Sequence, residues 1–409
     1  MGLAAFGAVF MAFNNGANDV ANSFASAVGA KAITMRQAVL IAGLMNLLGA
    51  VLIGGTVSAN LITGVLNPER FASRESYVLA MFSVLLAAGT FVLLSTWFKL
   101  PVSSSHAIVG SLIGVSVAAA GIESVNQPVL LAIVASWFVS PILAGALSFS
   151  IHMFIRRRIV GGGTDVMERL RFFLPFLLSL TIAVFALILM KGSVLAAHEP
   201  STSWELFLFL AILLPYATLV SQGLLRAATL EMPNDTDSAE RVFRKLQVGT
   251  SSYVAFAHGA NDVANSISPV FAIYLVVREG QLPTAELVQE VGVPLWVLVL
   301  GGGGIALGIG LLGHRVIETL SEKLTRLDNF KGFSVDFSAA TSVVSASLVG
   351  LPVSSTHAAT GAIVGTGLSE GRRPDLGVLA RIAGAWIITV PVAALLTVGI
   401  FGALKRLAG

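Results

Sequence analysis

Two aspartates, Asp19 and Asp262, lie in apolar stretches and inside the same eight residues. Gly16-Ala17-Asn18-Asp19-Val20-Ala21-Asn22-Ser23 recurs as Gly259-Ala260-Asn261-Asp262-Val263-Ala264-Asn265-Ser266. A carboxylate in a membrane span costs at least ~2.5 kcal/mol on insertion scales, and it persists where something binds it. Asn15, Asn18, Asp19 and Asn22 are spaced by three, four and seven, which crowds them on one side of a helix. Gly16 is expected to let the backbone unwind there and release carbonyl oxygens. Carboxylate, amide and backbone oxygens together suit a hard cation such as Na⁺. The candidate cation ligands are therefore Asn18, Asp19, Asn22, Asn261, Asp262 and Asn265. Helix-to-helix glue would explain the asparagines, but it gives the paired aspartates no partner.

A second chemistry is also written twice. Leu100-Pro101-Val102-Ser103-Ser104-Ser105-His106 is echoed by Leu351-Pro352-Val353-Ser354-Ser355-Thr356-His357. Proline stops an incoming helix, and the Ser/Thr run reads as the N-cap of an outgoing one. A helix start offers unpaired N–H groups and the positive end of its dipole, and hydroxyls add donors. Two such starts converging from opposite faces would hold a tetrahedral oxyanion, through Ser103, Ser104, Ser105 and His106 with Ser354, Ser355, Thr356 and His357. Ordinary caps in structural hairpins are the bland alternative. For the two histidines, donation to an anion or proton shuttling stands beside a bond to a backbone carbonyl that braces the hairpin. His258 occupies the place of Asn15, a swap that suggests hydrogen bonding more than titration.

These residues need elements that hold them inside a bilayer. Twenty-five basic and 22 acidic residues among 409 are about half the usual charged share, hydrophobic residues fill 55%, and mean hydropathy is +0.86. That surface belongs in lipid. The absence of cysteine excludes disulfides, thiolate metal sites and a Cys nucleophile. Asn14, Asn15, Asn18 and Asp19 argue against a cleaved signal at the start of the chain. Bilayer-length apolar stretches lie roughly at 2–28, 36–66, 77–98, 128–155, 172–191, 205–225, 248–277, 291–314 and 376–404, with interrupted ones at 103–121 and 333–369. One alternating set of loops carries 18 Lys or Arg and the other carries six. The richer set is cytoplasmic by the positive-inside rule, which leaves both termini outside. Parity then requires 77–121 and 333–369 each to return to the side of entry, as re-entrant hairpins or paired spans.

The aspartate blocks repeat at an offset of 243 and the Pro-Val-Ser-Ser blocks at 251; Trp137 and Pro141 are echoed by Trp386 and Pro391. By the charge count, 2–28 runs inward while 248–277 runs outward. The expected fold is an all-α polytopic membrane protein of inverted repeats with broken helices and two hairpins. Residues 1–155 form the first repeat, 156–245 a connector with two spans, and 246–409 the second repeat. Lys99, the Gly301 to Gly304 run, Arg156 to Arg158 and the five tryptophans read as snorkelling, close-packing, topology-anchoring and interfacial or packing residues.

On these duplicated motifs the chain resembles the PiT family of inorganic phosphate transporters over roughly 1–155 and 246–404. The resemblance implies a phosphate substrate, a central site and coupling to Na⁺ or protons. The family's Gly-Phe-Thr-Ile-Glu element appears as Gly332-Phe333-Ser334-Val335-Asp336, which makes Asp336 a candidate coupling acid. Where animal members carry a second-span glutamate, this chain has Leu44-Met45-Asn46-Leu47. A phosphate beside Asp19 and Asp262 gathers three or four negative charges with no Lys or Arg in either motif, so cations must enter with it. Symport importing phosphate is expected, with Na⁺ the favoured cation, no cofactor, no nucleic acid and a lipid bilayer of the inner cell membrane as surroundings. A homodimer is compatible with it. A proton-coupled phosphate or sulfate permease is the nearest rival, and an anion channel a remote one. Nothing marks an enzyme: nucleotide motif, Ser-His-Asp order and metal-ligand spacing are all missing.

The charge asymmetry makes a topology test. Single cysteines near 160 and 235 should resist an impermeant thiol reagent added to intact cells, while cysteines near 198 and 284 should react. Outside labelling at 160 and 235 would reverse the orientation.

Overall fold

Long runs of Ala, Leu, Val and Ile with little charge must satisfy their own backbone groups once water is removed, and helices do so within one segment. The structure, a computed structural model, describes residues 1–98, 102–161, 165–192, 203–323 and 328–408. Among the described residues every regular element is a helix, apart from one bridge between Leu66 and Val125. Eight helical stretches among the described residues are long and apolar enough to cross a membrane. The protein is an all-α polytopic membrane protein built on an inverted repeat.

Segment 2–28 is two helices, α1 (Gly2–Asp19) and α2 (Ala21–Gly29), joined at Val20 directly after the acid. The unwinding expected at Gly16 does not occur, because α1 stays helical through it. In the second copy the motif lies within α9 (Thr236–Glu279), a continuous helix of 44 residues. At 1.5 Å per residue α9 is about 66 Å long, twice the ~30 Å hydrocarbon core. Glycine answers a different need here. A Cβ on Gly16 would overlap the carbonyl oxygen of Ile305, and one on Gly259 would overlap that of Asn46. The converse contacts match: Gly308 meets the Phe13 carbonyl and Gly49 meets that of Phe256. Thus α1 lies on α11 (Leu295–Gly308) as α9 lies on α3 (Met35–Gly64), the same backbone-to-backbone crossing made twice between the two halves of the chain.

A second crossing is also doubled. Helix α5 (Ser104–Ala120) packs on α15 (Leu376–Ala408), and α14 (Ser355–Ser369) packs on α6 (Gln127–Phe154). The hairpins are α4 (Arg74–Trp97) with α5, and α13 (Asn329–Leu348) with α14. Lys99, Leu100 and Pro101 lie outside the described residues. The outgoing helices begin where the Ser/Thr runs predict. Ser103 accepts the His106 N–H at 3.3 Å, and Ser354 accepts the His357 N–H at 3.3 Å. Helix α4 is long and apolar enough to cross a membrane on its own, whereas α5 and α14 have only 17 and 15 residues.

Between the repeats, α7 (Val166–Gly192) and α8 (Ser203–Thr229) pack on each other, and α7 leans on α3, α9 and α13. Position 198 lies outside the described residues. Trp97, Trp204 and Trp296 are exposed, as expected of rim residues, while Trp137 is buried.

The Gly301 to Gly304 run packs as expected, with one instructive exception. Gly301 faces Val263 and Ile267, Gly304 faces Ala12, and Gly303 faces open space. Gly259→Ala should therefore cost about 1–3 kcal/mol, by pushing α9 off α3, while Gly303→Ala is neutral. Reversible unfolding of the purified protein in mixed micelles checks both. Equal stability of the two variants would mean the crossing yields without cost.

Candidate functional site

Helix α9 carries His258 one turn before Asp262, and α1 brings Asp19 to the same point. His258 Nε2 stands 2.7 Å from Asp262 Oδ2 and 3.5 Å from Asp19 Oδ2. One ligand atom from each of the three lies within 4.8 Å of the others, and all three side chains are buried. Two unit charges at that separation repel by on the order of 3 kcal/mol at an effective dielectric of 20. Burial of both acids at that spacing calls for a proton or a positive partner between them. Neighbours fix the imidazole's protons. Asn46 donates its Nδ2 to the Ala42 carbonyl at 2.9 Å, which turns its Oδ1 to His258 Nδ1 at 2.6 Å. An amide oxygen only accepts, so Nδ1 carries a hydrogen. Nε2 lies between the two carboxylates. Held between two acids and an amide, His258 is expected to carry both ring protons as an imidazolium. Sequence reasoning set it aside, although its i,i+4 spacing to Asp262 was visible; its pairing with Asn46, 212 residues away, was not.

The two helix starts meet. Ser105 Oγ donates to the Val353 carbonyl at 2.8 Å, which joins one break to the other. Asn22 Nδ2 donates to Thr356 Oγ1 at 3.2 Å, and its repeat-mate Asn265 donates to Ser105 Oγ at 3.4 Å and Ser104 Oγ at 3.3 Å. Ser104 donates to Asp19 Oδ2 at 3.2 Å, and Ser355 donates to Asp262 Oδ2 at 3.3 Å. Each break thus touches the acid of its own repeat through a single hydroxyl. Ser103 and Ser354 spend an oxygen lone pair on capping. Asn261 is committed to the second break, donating to Ser347 Oγ and the Leu351 carbonyl and accepting the Val353 N–H. Asn18 is half-buried on the same face as Asn22.

His106 and His357 are tied crosswise. His106 Nδ1 donates to the Trp386 carbonyl at 3.2 Å while its ring stacks on Trp137; His357 Nδ1 donates to the Trp137 carbonyl at 3.0 Å while its ring stacks on Trp386. The two imidazoles meet edge to face, with centroids 4.6 Å apart. Nδ1 of each ring is spent on the bracing bond to a carbonyl, and each Nε2 is buried beside the seam.

Asp336 lies outside this cluster, on α13. It accepts from Ser251 at 2.6 Å and from Ser26 at 3.4 Å, and no cationic side chain pairs with it among the described residues. Sequence analysis found the acid but neither serine. The exposure of the two copies differs. Asn18, Asn22 and Ser26, at i, i+4 and i+8, are half-buried, as is Thr356; Asn261, Asn265 and Ser105 are buried. The face of Asn18, Asn22, Ser26 and Thr356 is thus the less buried of the two.

A model of the phosphate transporter family matches residues 15–397. A provisionally named phosphate permease of Thermococcus kodakarensis is 38% identical over 394 residues, which is 96% of this chain and 94% of that protein. One from Haemophilus influenzae is 34% identical over 403 residues, covering 97% and 95%. A solved structure described as the sodium-dependent phosphate transporter matches with a TM-score of 0.90 at 39% identity, over 99% of this chain and 98% of its own.

The imidazolium carries its own test. In ¹⁵N-labelled protein, with His258→Gln supplying the assignment, both His258 ring nitrogens should resonate as protonated. Asn46→Leu leaves a buried charged donor without an acceptor and should destabilise the fold by about 1–3 kcal/mol. A pyridine-type nitrogen signal from His258 would contradict the charge assignment.

Proposed function

We propose that this chain, which belongs to the phosphate transporter family and is a transporter rather than an enzyme, imports inorganic phosphate by symport with Na⁺. One observation carries the coupling. Ser104 and Ser355 stand at the helix starts, where an oxyanion would find N–H groups, yet both hydroxyls now donate to Asp19 and Asp262. A Na⁺ that takes those carboxylate oxygens releases the two hydroxyls, which can then turn to phosphate. Ser105, Thr356 and the backbone N–H groups of α5 and α14 complete the cradle once the anion replaces the direct bond from Ser105 to Val353. Cation first and anion second follows from electrostatics, because two carboxylates balanced by a single imidazolium keep a net negative charge that repels phosphate. Na⁺ is cargo here, with Asn22 and Asn265 beside each acid as further oxygen donors. Asp336, between two serine hydroxyls, is a further acid for the coupling ion.

The half-buried face of Asn18, Asn22 and Ser26 leads toward the end of α2 and the loop bearing Lys31 and Arg36. By the charge rule that loop is cytoplasmic, which supports an inward-facing conformation here. Delivery to the cytoplasm is the matching direction of transport.

His258 supports a pH effect of definite sign. Its N–H occupies the gap between the acids, so acidification favours the imidazolium over Na⁺ and weakens Na⁺ binding. The same proton favours proton coupling as the second reading. Uptake of labelled phosphate and sulfate into proteoliposomes, with Na⁺ and proton gradients imposed separately, decides among them. An inward Na⁺ gradient should drive phosphate and not sulfate, with the Na⁺ requirement rising as pH falls. Asp19→Asn and Asp262→Asn should abolish concentrative uptake. Calorimetry at saturating Na⁺ should find phosphate affinity about ten- to a hundredfold weaker in Ser105→Ala or Thr356→Ala. Uptake driven by protons alone, indifferent to Na⁺, would transfer the coupling to His258.

A further inference from the structure

Away from the transport site, the ends of α7 and α8 line an open groove of about 620 Å³, within the size range of small-molecule sites. Its lining mixes both signs of charge with apolar surface: Arg169, Arg171 and Arg226, Asp165 and Glu168, and the exposed rings and chains of Phe172 and Leu230. Arg171 is pinned across the helix pair, with its Nε on Thr229 Oγ1 at 2.8 Å and a second nitrogen on the Thr229 carbonyl. That bond holds the guanidinium at the groove wall and fixes the spacing of the two helices. Arg226 is exposed in the closing turns of α8, and Glu168 is exposed in the first turn of α7.

We infer that this groove is a binding site for a phospholipid with a primary-amine zwitterionic head group, of the phosphatidylethanolamine class. The chemistry is complementary term by term. Arg226 and Arg171 meet the phosphodiester, Glu168 and Asp165 accept from the ammonium, and the acyl chains continue along Phe172 and Leu230 onto the exposed Leu224 and Leu219 of α8. A soluble phosphate would leave the apolar wall uncovered. A purely anionic lipid would set a second negative charge, or no charge at all, against two carboxylates. A choline head group carries no N–H to donate to them. The site is independent of the phosphate reading, because none of its residues contacts Asp19, Asp262 or the helix starts.

The test is native mass spectrometry of the intact chain, offered equimolar palmitoyl-oleoyl phosphatidylethanolamine, phosphatidylcholine and phosphatidylglycerol. One ethanolamine lipid should be retained about fivefold over either competitor, the worth of one charge-assisted contact. Arg226→Ala, an exposed position, should lower that retention about fivefold, and Arg226→Lys should keep most of it. Glu168→Gln should bring the ethanolamine and choline lipids to within about twofold of each other. Equal retention of all three lipids by the parent chain, preference for phosphatidylglycerol, or undiminished ethanolamine binding in Arg226→Ala would each overturn the assignment.

Discussion

Two carboxylates buried within 4.8 Å of one nitrogen set the terms for everything around them. In a low-dielectric interior neither acid can stay ionised without a positive partner, and neither duplicated motif contains Lys or Arg. His258 meets that demand when no metal ion is present. It does so with a group whose charge is reversible, where Lys or Arg would have locked the site. The amide of Asn46 holds the imidazole from behind, and its own orientation is fixed by the Ala42 carbonyl. A change at any of these positions leaves a buried charge unanswered.

The same economy explains why the helix starts lie where they do. Ser104 and Ser355 stabilise the acids by donation, so under the proposed symport the anion-binding end and the cation-binding end of the site would share atoms. Cooperativity between cation and anion then needs no long-range pathway, because a hydroxyl has one hydrogen and two claimants. Close backbone crossings at Gly16, Gly259, Gly49 and Gly308 keep the four helices tight enough for that competition to be direct.

How much of this was legible follows from what kind of interaction each feature is. The repeat was plain because eight identical residues are a covalent fact, and Pro-Val-Ser-Ser predicted the breaks because capping is local chemistry. Gly16 misled for the opposite reason. Glycine permits both an unwound backbone and a close approach, and only the neighbour, here Ile305, decides between them. His258 was undervalued because its worth depends on Asn46 and Asp19, which arrive from other helices. The crosswise bracing by His106 and His357 was one of two readings left open, since a bond to a carbonyl leaves no trace in the residue that provides the carbonyl.

That bracing also sets a schedule for biosynthesis. His106 finds its acceptor in the backbone of Trp386, 280 residues later in the chain. At roughly 5–20 residues per second, the ribosome delivers Trp386 on the order of half a minute after the first hairpin has entered the bilayer. Through the first half of that interval the early helices hold Asp19 and the Ser104 hydroxyl without His258, and α14 follows only near its end. The amino-terminal half must therefore wait as an incomplete assembly, with its polar face toward lipid, translocon or a chaperone. A duplicated architecture with crossed ties is assembled late and all at once.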